Sequence, residues 1–178
     1  NGKQIDSGPQ GQPIQVCQMN QVIELRLARF SDVRTIARMS RDLVEQGLGW
    51  SWRAGRIAAM INHPEAVVLV ARSHIETVGF GIMEYHEHHA HLNLLAVKPN
   101  QRRSGTGRVL LEWLEKTARY AGIAKIYLEV RARNRGARAF YERLGWENVT
   151  YVSGYYQGRE SAMRMVRELI PSDQQRSI

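Results

Sequence analysis

One stretch of this chain combines residue types and spacing that suit a charged ligand. It runs Leu94-Leu95-Ala96-Val97-Lys98-Pro99-Asn100-Gln101-Arg102-Arg103-Ser104-Gly105-Thr106-Gly107-Arg108. It reads as a buried strand, a turn at Pro99-Asn100, and a basic glycine loop that opens a helix. Backbone N–H groups at a helix start have no intrahelical partner, and the helix dipole places partial positive charge there. Gly105 and Gly107 let the backbone approach a ligand without a Cβ in the way. Arg102, Arg103 and Arg108 add formal charge. The chemistry implied is the binding of a phosphate-bearing molecule. The loop lacks the GxxxxGK[ST] spacing of a nucleoside triphosphate site, and Leu110 stands where the dinucleotide fingerprint GxGxxG needs its third glycine.

A second stretch runs Leu128-Glu129-Val130-Arg131-Ala132-Arg133-Asn134-Arg135-Gly136-Ala137-Arg138-Ala139-Phe140-Tyr141-Glu142-Arg143-Leu144-Gly145-Trp146. Read by residue type alone, Glu129 is a strand carboxylate that an arginine would pair at the surface. Tyr141 is then a core tyrosine on the Ala137, Phe140, Leu144 face of a helix.

Together the two stretches resemble the GNAT acetyltransferases. Arg102-x-x-Gly105-x-Gly107 is similar to that family's R/Q-x-x-G-x-G/A pyrophosphate loop. The second stretch is similar to its LEVR-x-x-N-x-x-A-x-x-(L/F)-Y-x-x-LGF signature. Within the family it resembles the RimI branch, the N-terminal alanine acetyltransferases of a ribosomal protein. Gly154-Tyr155-Tyr156 followed by Gly158-Arg159-Glu160 is similar to that branch too. The resemblance is specific over residues 91–166, looser over 22–90, and does not cover 1–20.

The resemblance implies acetyl-CoA as co-substrate. Leu95, Ala96 and Val97 would pair through their backbones with the pantetheine arm, with the Val97 N–H facing the thioester oxyanion. Arg102, Arg103, Ser104, Gly105, Thr106, Gly107 and Arg108 would hold the pyrophosphate. Asn134 and Ala137 would lie against the cofactor, and Arg143 would reach a phosphate. Glu129 matches the general base, acting through water, and Tyr141 the acid that protonates the departing thiolate. Trp50, Tyr155 and Tyr156 would line the acceptor cleft.

The acceptor amine must lose a proton before it attacks. At neutral pH that costs about 1–1.5 kcal/mol for an α-amine and roughly 4–5 for a lysine. A modest base therefore suffices for a protein or peptide N-terminus, which is the leading acceptor. A small-molecule amine, a lysine side chain, or a non-catalytic acetyl-CoA-binding module remain alternatives. Direct attack needs no covalent enzyme intermediate, so Cys17 has no expected role.

Composition bounds the rest. The formal charge is +8, and Arg (21) far outnumbers Lys (4). Such charge draws in nucleic acid or a polyanionic cofactor alike. No nucleic-acid motif accompanies it, so nucleic acid is disfavoured as a partner. The one cysteine excludes an internal disulfide and a multi-cysteine metal site. The longest strongly apolar stretch, Ala66 to Ala71, is far short of a transmembrane span. No signal peptide is visible, and the expected setting is cytoplasmic, without membrane contact; a homodimer stays open. The run His86-Glu87-His88-His89-Ala90-His91 would place His89 and His91 on one strand face and His86 and His88 on the other. It lacks a cysteine or nearby aspartate, so it reads as a solvated hairpin and no metal ligand is assigned.

These residues need elements to hold them. Residues 1–20, rich in Gln, Gly, Asn and Pro, read as a disordered leader. Residues 21–170 form the acetyltransferase domain, and 171–178 a tail. Alternation predicts a strand from Ile23 to Arg29, and Ser31 or Asp32 a helix cap. Helices are expected from Val33 to Val44 and from Arg53 to Asn62. Strands follow at Ala66 to Ala71, Val78 to Tyr85 and His91 to Val97. The clearest helix runs from Thr106 to Ala121, with Leu110, Leu111, Leu114 and Ala118 on one face. Then come a strand from Lys125 to Val130, a helix capped by Asn134, and strands at Glu147 to Val152 and Ser161 to Arg167. The fold class is α/β (α+β): the GNAT fold, a mixed, mostly antiparallel central sheet of about 6–7 strands flanked by about four helices.

Overall fold

The computed structural model describes residues 14–18, 21–74 and 76–169. Eight strands form one sheet in the order β1-β2-β3-β4-β5-β6-β8-β7. They are β1 (Ile14–Gln18), β2 (Gln21–Leu27), β3 (Ala66–Arg72), β4 (Thr77–Tyr85), β5 (His89–Val97), β6 (Lys125–Arg131), β7 (Glu147–Tyr156) and β8 (Glu160–Glu168). The helices are α1 (Val33–Leu43), α2 (Ala54–Asn62), α3 (Thr106–Tyr120) and α4 (Arg135–Arg143). Every neighbouring pair is antiparallel except β5 and β6. Among the described residues no helix is long and apolar enough to cross a membrane.

The sheet has one strand more than expected. The extra strand, β1, falls where the composition predicts a disordered leader, and it pairs with β2 from Ile14↔Leu25 to Gln18↔Gln21. A polar-rich composition masks the short alternation Ile14-Gln15-Val16. Such an alternation needs only a neighbouring edge to pair with. The remainder of residues 1–20 and the tail at 171–178 lie outside the described residues.

Two apolar layers sandwich the sheet. Leu110, Leu111, Leu114 and Ala118 of α3, with Tyr141 of α4, join Leu92, Ile126, Leu128 and Val130 on one face. Ile36 and Met39 of α1, with Ile57 and Met60 of α2, cover Phe80, Ile82, Leu94 and Ala96 on the other. Gly81 brings α3 in close: a Cβ there would stand 2.8 Å from Leu114 Cδ1.

The phase of β5 changes along its length. Met83 pairs with Leu92 but Ile82 with Leu94, so Asn93 is an extra residue and the ladder bulges there. Simple alternation would put Leu92, Leu94 and Ala96 on one face. The bulge instead sends Leu92 to the α3 layer and Leu94 and Ala96 to the α1–α2 layer.

Two buried carboxylates fix the entry to the α1–α2 layer. Asp32 caps backward, not forward: it accepts from the Arg29 N–H at 2.7 Å and from both terminal nitrogens of Arg26 at 2.7 and 2.9 Å. Glu45 holds the loop between α1 and α2. Its carboxylate accepts from Ser40 Oγ, the Ser51 N–H, Ser51 Oγ and the Trp52 N–H, at 3.0, 2.8, 2.5 and 3.1 Å. Glu45→Ala strands these donors, so it should lower unfolding stability by about 2–4 kcal/mol. Glu45→Gln should cost less than half as much. Urea denaturation compares the two, and equal small losses would show that the loop is held otherwise.

Candidate active site

The site begins where β5 and β6 part. They pair in parallel at only three positions: His89↔Lys125, Ala90↔Ile126 and His91↔Tyr127. Beyond His91 each strand runs on without the other. The Lys98 N–H donates to the Val78 carbonyl on the β4 side. By the alternation of an antiparallel ladder, Ala96 also turns its backbone groups to β4, while Leu95 and Val97 turn theirs into the gap. Of the three residues expected to present backbone to a ligand, Ala96 is therefore the exception.

The glycine loop lies just beyond. Gly105 caps α3 in the left-handed region at φ 92°, and Arg103 is left-handed too at φ 61°. The backbone N–H groups of residues 103–108 find no acceptor among the described residues. Alternating handedness with free donors makes an anion-binding concavity. The arginines divide. Arg102 turns back, its Nε donating to the Val97 carbonyl at 3.2 Å. Arg108 pairs with Glu112 at 2.6 Å, one turn along α3. Arg103 is exposed and has no ion pair with a described residue.

On the far side of the gap, Asn134 caps α4 by accepting from the Ala137 N–H at 3.0 Å, which leaves its amide NH2 free to donate. Arg143 is exposed at the other end of that helix. Tyr141 is buried against Phe140 and Trp146. Its hydroxyl makes no hydrogen bond to a described residue. Burial, and then the neighbouring Tyr156, push its pKa well above the ordinary phenol value.

Glu129 sits on β6 opposite in phase to Leu128 and Val130, so it faces the α1–α2 layer. Its side chain is only 4% exposed. Oε1 accepts from Arg164 Nε at 2.7 Å. Oε2 lies 2.6 Å from His91 Nε2 and accepts from the Tyr155 hydroxyl at 3.2 Å. The Tyr156 hydroxyl donates to the Glu129 carbonyl at 3.2 Å. Burial opposes the charge on Glu129, but the hydrogen bonds and charges of His91 and Arg164 outweigh it and hold the carboxyl at about 2. Burial likewise opposes charge on His91. There too the partners win: Glu129 and Asn93 by hydrogen bonds, Glu129 and Glu84 by charge, and its pKa is raised.

The α1–α2 loop meets this group from above. Gly49 N–H donates to Gln157 Oε1 at 3.2 Å, and Arg131 reaches the Gln46 carbonyl at 2.7 Å. Trp50 is engaged within the loop: its indole N–H donates to the Trp52 carbonyl, and the Arg41 and Arg53 guanidinium groups each lie 5.5 Å from its ring centre.

The comparisons bear on this geometry. The sequence profile of the acetyltransferase (GNAT) family matches residues 22–146. The chain belongs to the GNAT acetyltransferase family. The [ribosomal protein bS18]-alanine N-acetyltransferase of Escherichia coli strain K12 is 45% identical over 74 residues, which is 40% of this chain and 50% of that protein. The chain thus spans about half the length of the curated relatives it matches. The crystal structure of the ribosomal-protein-S18-alanine N-acetyltransferase from Escherichia coli superposes with a TM-score of 0.72 at 27% identity, covering 83% of this chain and 94% of that one. An aminoglycoside 6'-N-acetyltransferase complexed with coenzyme A shares the fold, with a TM-score of 0.68 at 20% identity over 83% and 97% of the two chains.

GNAT enzymes use acetyl-CoA, and the residues present fit it. A thioester arm laid along β5 would meet the free backbone groups of Leu95 and Val97. A pyrophosphate would meet the free N–H groups of residues 103–108. Four polar residues grouped around Glu129 had no site role in the sequence reading: Glu84, His91, Asn93 and Arg164. His91 in particular reads from sequence as part of a solvated hairpin. Instead His86 stacks on His89 at 4.7 Å, and His91 turns into the site. Its signal was its position, a polar residue on the strand whose far end carries Leu95 and Val97. Among the described residues no cluster of three or more His, Cys, Asp or Glu side chains is placed to hold a metal ion.

The division among the arginines gives a test. Arg103→Gln should weaken CoA binding by about tenfold, the scale of one charge-assisted phosphate contact. Arg108→Gln should stay within about threefold of the parent, because Glu112 already engages that exposed side chain. Titration calorimetry with CoA separates them, and equal losses would contradict the division.

Proposed function

We propose that this GNAT enzyme acetylates the α-amine of a protein or peptide N-terminus. The observation that carries the proposal is the joining of the β7–β8 hairpin to Glu129 through Tyr155 and Tyr156 while its tip meets the α1–α2 loop at Gln157 and Gly49. A cleft bridged in this way favours an acceptor that enters end-on, as a chain terminus does. The identity to the bS18-alanine N-acetyltransferase supports the same acceptor. The chemistry agrees: freeing an α-amine near neutral pH costs about 1–1.5 kcal/mol, within reach of a modest base, whereas a lysine costs roughly 4–5.

Acetyl-CoA supplies an acetyl group activated as a thioester. Toward it, the Val97 N–H offers a donor where the oxyanion would develop. Tyr141, whose hydroxyl bonds no described residue and holds its proton tightly, donates a hydrogen bond to the departing sulfur. Glu129 anchors the acceptor side and holds its polar partners in place. The amine attacks directly, and no enzyme nucleophile intervenes.

CoA release measured across acceptors tests the proposal. Ala- and Ser-starting peptides should turn over, while N-blocked lysine peptides, polyamines and aminoglycosides should not. Turnover of small amines alone would replace the proposed acceptor. Tyr141→Phe should slow turnover by about a hundredfold, the lower range for acid–base catalysis, with CoA affinity nearly unchanged. Undiminished turnover would remove Tyr141 from the chemistry.

A further inference from the structure

The positive charge of the chain is not spread evenly. Residues 29–62 carry six arginines, Arg29, Arg34, Arg38, Arg41, Arg53 and Arg56, and no lysine. The acids of the same stretch are Asp32, Asp42 and Glu45. Asp32 and Glu45 are buried and already bonded within the protein, and Asp42 is engaged by the neighbouring Arg41 at 2.7 Å. None of these arginines lies in the glycine loop or bonds Glu129, so the acetyl-transfer site makes no use of them.

Arg34, Arg38 and Arg41 recur at helical spacing along α1, which puts them on one exposed face, about 10 Å from first to last. Arg34 makes no hydrogen bond or ion pair with a described residue, and Arg38 meets only the charge of Asp42. Aromatic rings stand at both ends of this row. At one end Phe30, in the short turn that leads into α1, is 72% exposed. With Arg34 it borders an apolar groove whose other residues include Val33, Ala54, Gly55 and Ala58. At the other end the half-buried Trp50 ring has the Arg41 and Arg53 guanidinium groups 5.5 Å from its centre. Composition shows arginine without a nucleic-acid motif. The interleaving of rings and guanidinium groups arises only when α1 and the α1–α2 loop fold together.

We propose that this face binds a single-stranded nucleic acid. Phosphates lie along Arg34, Arg38 and Arg41, an unpaired base stacks on Phe30 over the groove, and Arg53 with Trp50 carries the strand toward the acceptor loop. A guanidinium grips phosphate with two parallel N–H bonds and stacks flat on a base. An anionic membrane is served as well by lysine, which this stretch lacks. A duplex keeps its bases inside and offers Phe30 nothing. The loop that carries Trp50 meets the β7–β8 hairpin through Gly49 and Gln157. A strand seated here therefore ends beside the acceptor side and raises the local concentration of acceptors that travel with nucleic acid. Binding of this kind requires no particular acceptor amine.

Fluorescence anisotropy of a labelled oligouridine of about 20 nucleotides, with the whole chain, tests this. Affinity should fall between about 50 and 200 mM salt with a log–log slope of about −2, the value for roughly three phosphate contacts on a single strand. Arg34→Gln with Arg38→Gln should reduce the slope by about 1.4, and the charge-matched pair Arg103→Gln with Arg135→Gln should leave it unchanged. Phe30→Ala should weaken binding about tenfold. Gly55→Leu, whose new side chain meets open space in the free protein, should fill the groove and weaken binding by a similar factor. CoA affinity should stay at the parent value in all but the Arg103 pair, which checks folding, and saturating CoA should not displace the oligonucleotide. No binding at low salt, displacement by CoA, equal losses from the two arginine pairs, or full affinity in Phe30→Ala or Gly55→Leu would overturn the proposal. So would a DNA duplex of equal length, or polyglutamate, that competes as well as unlabelled oligouridine. Capture on phosphatidylserine vesicles without oligouridine binding would replace the nucleic acid by a membrane.

Discussion

The parting of β5 and β6 is the constraint on which the rest of the structure depends. Three parallel pairs join the strands and then they diverge. A sheet interrupted at its centre leaves backbone donors and acceptors without partners, which a folded chain tolerates only where water or a ligand meets them. Each half stays stiff because its other neighbour continues: β4 follows β5 as far as Gly79↔Val97, and β8 follows all seven residues of β6. The Asn93 bulge adds to the divergence and rotates the end of β5, so that Leu95 and Val97, not Leu94, flank the α3 side of the opening. The gap is thus a built strand vacancy, and an extended arm with amide groups of its own is the natural guest.

The two faces of the sheet then supply opposite chemistry to one opening. Tyr141 approaches from the α3–α4 layer, and Glu129 with His91 from the α1–α2 layer. Around Glu129 gather a second carboxylate, Glu84, the guanidinium of Arg164 and the imidazole of His91, whose pKa the two carboxylates raise. Opposite charges meet there, so burying the group costs far less than burying either carboxylate alone. It is also sensitive to the loss of a member, because each removal leaves an uncompensated partner near the apex of the gap. That coupling explains why the Glu129 carboxyl lies so far below its usual range even though burial alone would raise it.

How much of this is legible in sequence depends on how local each signal is. The glycine loop, α3 and the Asn134 cap are set by residues within one turn of each other, and they stand where the spacing predicts. Tyr155 and Tyr156 reach Glu129 because a tight hairpin carries them there, a contact the sequence reading did not include. The misses are non-local. His91, Asn93 and Glu84 come together only through the β4–β5 register and its bulge, and Arg164 meets Glu129 only through the β6–β8 register. The loop arginines also have partners that the sequence reading did not include. The sequence shows three loop arginines, but Arg102 and Arg108 find partners within a few residues, and neither the backbone carbonyl of Val97 nor the helix neighbour Glu112 announces itself in composition. The strand β1 was hidden by its own polar alternation.

In the reaction proposed, burial of Tyr141 constrains how the leaving group departs. An ordinary phenol and a thiol differ by about 1.5 pKa units, a gap that a proton crosses easily. Here burial and Tyr156 push the phenol further up, so full transfer to a free thiolate becomes less favourable than in water. Stepwise expulsion of a thiolate followed by its protonation is therefore the poorer route. A hydrogen bond that strengthens as negative charge gathers on sulfur has no such penalty, because the proton needs to move only as the C–S bond lengthens and the sulfur becomes basic. The hydroxyl, which bonds no described residue, is suited to that role: it gives up no such bond to make the new one. The same burial also keeps the tyrosine protonated through the whole pH range over which an α-amine is freed.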